Sequence, residues 1–165
     1  MALFLIVLVA GTAAAAFFDL RARRIPNALT APMAVAAIAL HAAGGVVSAL
    51  VVLAAMVAAF AIGSVAFSAG WLGGGDVKLI AAACGLAGVP GCFVLVGFIL
   101  IAGAVLALAD AVARRRLVAL VRGASLLAMT GVAPAGASVP YGVAVAGGSA
   151  AYALSTVVHV LRFPA

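Results

Sequence analysis

An all-α fold, a polytopic membrane bundle of about six transmembrane helices in a single domain over 1–165, is what this chain predicts. Three observations predict it. Hydrophobic residues make up 69% of the chain and charged residues only 7%, far below the quarter or so usual in soluble domains. The apolar residues lie in long runs rich in Ala, Leu and Val, where a membrane β-barrel would show short alternating segments. The basic residues sit at the edges of those runs, which explains the net charge of +6 as membrane topology and not as a nucleic-acid surface.

The runs place helices at about 2–18, 28–43, 46–68, 77–89, 91–112 and 139–161. The first resembles a signal-peptide core, but no basic residue precedes it and three arginines follow, so it reads as a retained helix. Pro26 interrupts the chain before the second, and Gly44-Gly45 turns it into the third. A glycine-rich loop, 70–75, leads into the fourth, and Gly88-Val-Pro-Gly91 turns between the fourth and fifth. The fourth is short: 77–89 covers only about 20 Å at 1.5 Å per residue, against a hydrocarbon core of about 30 Å. Between the fifth and sixth lies a basic, then small-residue segment, with a short interfacial helix expected over Leu117 to Leu127.

With the N-terminus outside, these spans put Arg21, Arg23, Arg24, Lys78, Arg114, Arg115, Arg116 and Arg122 on the cytoplasmic side and only Arg162 on the other. That bias sets the expected orientation in a cytoplasmic membrane. Cys84 and Cys92 lack a Cys-x-x-Cys spacing and read as small buried hydrophobes, with a disulfide as the minor alternative. His41 and His159 have no ligand spacing, so neither a metal nor another cofactor is expected.

The acids carry the chemistry. There are three, Asp19, Asp76 and Asp110, and no glutamate. A carboxylate near hydrocarbon costs several kcal/mol, so each needs a reason. Asp110 has one in Arg114, four residues on and on the same helical face. Asp19 and Asp76 fall at the same membrane face, one closing the first helix and the other opening the fourth. Two neighbouring carboxylates share a proton, the state in which one draws a proton from water and the other donates to a peptide carbonyl. The helix ends favour charge on Asp76 and the proton on Asp19. The competing structural roles are a helix-end pair with Arg21, Arg23 or Arg24 for Asp19, and a helix cap for Asp76. Gly73, Gly74 and Gly75 leave the backbone before Asp76 bare, open to a substrate strand or simply a flexible turn. Lys78 reads first as a topology anchor.

Three stretches resemble the type IV prepilin peptidases, membrane aspartic peptidases of the Gly-x-Gly-Asp kind. They are Asp19-Leu-Arg-Ala-Arg-Arg-Ile-Pro-Asn27, Gly73-Gly-Gly-Asp-Val-Lys-Leu-Ile-Ala-Ala82 and Val139-Pro-Tyr-Gly-Val-Ala-Val-Ala-Gly147. The resemblance implies Asp19 and Asp76 as the catalytic pair. It implies supporting or substrate-binding roles for Pro26, Asn27, Gly73, Gly75, Lys78, Pro140, Tyr141 and Gly142. It implies a prepilin or pseudopilin substrate, cut after a short basic leader at the cytoplasmic face of a bacterial inner membrane. No loop here can hold the cysteine-rich cytoplasmic insert of the larger bifunctional members. The chain therefore looks like the compact, peptidase-only type associated with tight-adherence (Flp) pili, and N-methylation finds no support in it. Two readings from other classes compete: a small proton-coupled transporter, and a noncatalytic assembly protein of a pilus or secretion system. A transporter more typically places acids near mid-bilayer or shows inverted repeats, and neither pattern is present.

Overall fold

The computed structural model describes residues 2–113, 115, 122–123, 125–126, 129–130 and 141–162. Five helices account for nearly all of them: α1 (Ala2–Ala22), α2 (Asn27–Ala42), α3 (Val46–Ser68), α4 (Gly74–Ala113) and α5 (Tyr141–Arg162). Of the helix expected over 117–127, residues 122–123 and 125–126 are described and are helical; its other residues and the start of the last helix at 139–140 lie outside the described residues.

Helix α1 runs four residues past its expected end, so Asp19 lies within its last turns and not at its end. Arginine is a good helix former, and the charged stretch simply continues the helix. Arg23 stops it by taking a left-handed φ of 52°, with its N–H still on the Asp19 carbonyl at 2.9 Å. Pro26, with φ −70° and ψ 139°, then opens α2, and the Leu29 N–H closes on its carbonyl at 3.0 Å. Helix α3 keeps its expected limits.

Helix α4 is where sequence and structure differ most. It begins at Gly74, so the glycines enter its first turn. It is broken at Gly88, whose φ of 72° and ψ of 171° a side chain would resist. The two arms, 74–87 and 89–113, run antiparallel. Cys84 and Cys92, four residues either side of the break, lie near enough for their thiols to influence each other, and neither is in a disulfide. Pro90 falls in the first turn of the second arm, where its missing N–H costs little. The arms stand where the fourth and fifth helices were expected. By length and composition four helices, α1, α3, α4 and α5, are long and apolar enough to cross a membrane, whereas α2 has 16 residues.

The core is a lengthwise seam of Leu8, Met33, Met56, Leu79, Leu86, Leu95, Ile99, Val145 and Tyr152. Large apolar side chains such as Ile6, Val47, Ile62, Phe93 and Leu161 cover the outside, as hydrocarbon solvent requires. Small residues let the helices approach. At Gly148 of α5 an added Cβ would lie 2.6 Å from the backbone of Ile99 on the second arm of α4.

Candidate active site

Three helix ends meet at one end of the bundle. The last turns of α1 bring Asp19, the first turn of α4 brings Asp76, and the first turn of α5 brings Tyr141 and Gly142. Asp19 is buried, with 8% of its surface exposed. Its Oδ2 accepts the Gly142 N–H at 2.8 Å, a buried bond joining residues 123 apart in sequence. The N–H groups of a helix's first turn have no intrahelical acceptor, so this carboxylate satisfies one of them. Seen from α1 alone, Asp19 sits at the negative end of a helix. The fold adds the positive end of α5 beside the same carboxylate, a pairing no local sequence pattern announces.

Asp76 is the third residue of α4, and its Oδ2 reaches back to accept the Gly73 N–H at 3.1 Å. This is the return half of a capping box, not the simple cap that local sequence suggests. Gly73 has to be small for it: a Cβ there would stand 2.8 Å from Asp76 Oδ2. The Asp19 charge acts on Asp76, and the Asp76 charge acts on the Tyr141 phenol, so the three groups form one electrostatic cluster. Tyr141 is half-buried, and its hydroxyl lies where a Cβ on Gly103 would be 3.3 Å away.

The remaining candidates fall around this cluster. Gly75 packs on the segment between α1 and α2, where its Cβ would sit 3.1 Å from Ile25 Cβ. Lys78 donates to Asn27 Oδ1 at 2.9 Å, tying α4 to the first residue of α2 beside Pro26. Arg21 lies over the Phe17 ring, 5.0 Å from its centroid. Pro140 lies outside the described residues, as does Arg114, the expected partner of Asp110. Ile25 and Gly103, which back the site, were not singled out from sequence. Each is an ordinary apolar or small residue whose part depends on tertiary contact.

Long apolar helices define a multi-pass membrane protein, here with two aspartates at one end of the bundle. The chain belongs to the type IV leader peptidase family, whose family model matches residues 6–108, and is accordingly a peptidase. The match takes in Asp19 and Asp76 and ends before Tyr141. Neither a curated protein nor a solved structure matches the chain.

Proposed function

We propose that this protein is a membrane aspartic endopeptidase that removes the short basic leader of Flp-like prepilins or pseudopilins at the cytoplasmic face of a bacterial inner membrane. Asp19 and Asp76 are its catalytic pair. The observation that supports this most is their convergence: two of only three acids in the chain, 57 positions apart in sequence, sit where α1, α4 and α5 meet, Asp19 held by the Gly142 N–H and Asp76 within reach of the Asp19 charge.

The chemistry follows from two carboxyl groups that hold one proton between them. The ionised member takes a proton from a bound water as the oxygen attacks the scissile carbonyl. The protonated member donates to the carbonyl oxygen. Collapse of the tetrahedral intermediate breaks the C–N bond, and the proton taken from water passes to the departing amine. Gly142 and Gly73 hold the two carboxylates by their N–H groups and leave room beside them. A shared position at one membrane face suits a peptide bond between a charged leader and an apolar helix.

Co-expression with an epitope-tagged prepilin tests the proposal. Wild-type enzyme converts it to a shorter form, while Asp19→Asn and Asp76→Asn each accumulate the precursor at unchanged enzyme levels. Processing that persists in both variants would overturn the assignment.

A further inference from the structure

Helices α2 and α3 and the first arm of α4 enclose a groove of about 380 Å³ on the side of α4 away from the acid pair. Asp76 and Lys78 are two residues apart, so they face different sides of that helix. Lining positions recur every three or four residues, as in Asn27, Thr30 and Ala34 on α2, so the groove follows the helices for about 10 Å. Its buried floor is small, from Ala81 and Ala82, and exposed Leu53, Val57 and Phe60 wall one side.

Polarity along the groove is uneven. Asn27, Thr30 and Lys78 line the end level with the site, and the rest is apolar. Lys78 is the sole charge in the lining, and the Asn27 bond uses one of its three N–H donors. An occupant matching this has an anionic head at the membrane surface and an apolar shaft running inward. What lies against the groove selects among such occupants. Leu53, Val57 and Phe60 are exposed, so its open side faces hydrocarbon, and a lipid is the occupant that surrounds it, its phosphate answering the Lys78 charge.

We propose that this groove is a binding site for one anionic phospholipid, with its phosphate on Lys78 and an acyl chain lying between α2 and α3 over Ala81 and Ala82. The site is separate from the acid pair and stands whether or not the cleavage chemistry is as described above.

Native mass spectrometry of the purified full chain with phosphatidylglycerol and with phosphatidylcholine tests it. One phosphatidylglycerol is retained in preference by about fivefold, the worth of one lysine at an anionic surface. Lys78→Gln removes the preference, Lys78→Arg keeps it, and Arg21→Gln, remote from the groove, leaves it unchanged. Equal retention by wild type and Lys78→Gln overturns the proposal. A second arm needs no substitution: phosphatidylglycerol with a photoreactive acyl chain labels Leu53, Val57 or Phe60 in the wild-type protein. Labelling confined to other helices, or labelling that an added apolar helical peptide displaces, overturns it too.

Discussion

Gly142→Ala isolates the contact that holds Asp19. A Cβ built on Gly142 would lie 2.9 Å from Asp19 Cβ and 3.0 Å from its Oδ2, within the range where neighbours must move. Both atoms are buried where α1 meets α5, so the carboxylate swings or the helices part. In an exposed helix the same change is stabilising, by about 0.5–1 kcal/mol, because alanine orders more cheaply than glycine. Here overpacking costs about 1–3 kcal/mol and outweighs that gain. With Asp19 in its proposed role the larger consequence is catalytic, since displacing a reacting group by about 1 Å can cost about 100-fold in rate. Gly147→Ala is the control one residue from Gly148 on the same helix: its Cβ would meet only Ala102 Cβ at 3.8 Å, an ordinary contact. In reconstituted membranes, prepilin cleavage by Gly142→Ala falls about 100-fold in kcat/KM, and Gly147→Ala matches wild type. Cleavage by Gly142→Ala at the wild-type rate would refute the claim that the start of α5 positions Asp19.

Other expectations follow from the same geometry. Gly73→Ala puts a Cβ 2.8 Å from Asp76 Oδ2, so it dislodges that carboxylate and slows cleavage at least tenfold while costing about 1 kcal/mol of helix-cap stability, read by cleavage kinetics and thermal melting. Gly148→Ala presses on the Ile99 backbone at 2.6 Å and destabilises by about 1–3 kcal/mol, whereas Gly97→Ala meets nothing within 4 Å and leaves the melting temperature unchanged or higher. If one proton is shared by the pair, the rate of cleavage against pH is bell-shaped: it falls on the alkaline side as the last proton leaves and on the acid side as both carboxyls fill. A rate that is flat across both limbs contradicts the shared proton.

The helices and the two acids were legible in the sequence for different reasons. Apolar runs report helices in lipid directly, because a membrane span has to satisfy its backbone internally whatever surrounds it. The limits of α3 came out as expected on that basis, and scarcity of charge drew attention to Asp19 and Asp76. What was not legible depended on long-range packing. The extension of α1 through Arg21 hinges on how Arg23 leaves the helix, and the capping of Asp19 by Gly142 joins segments 123 residues apart. The break at Gly88 was placed correctly as a turn over 88–91, but its fine position rests on one glycine's backbone angles, which several residues of that stretch could have adopted. The groove is invisible locally, since Ala31, Ala34, Ala81 and Ala82 become a cavity only when three helices leave them facing one another.

The break also bears on how the site meets its substrate. Tyr141 lies beside Gly103 of the second arm and feels the Asp76 charge, so that arm runs on past the acid towards Ala113. From Gly88 to Asp76 the first arm rises only about 18 Å, against a hydrocarbon core of about 30 Å, so it is too short to cross that core alone. On the proposed function, a peptide bond at the start of an apolar helix would meet the acid pair against the wall that the longer second arm provides. The glycines at 73–75 would be the bare rim over which such a segment passes.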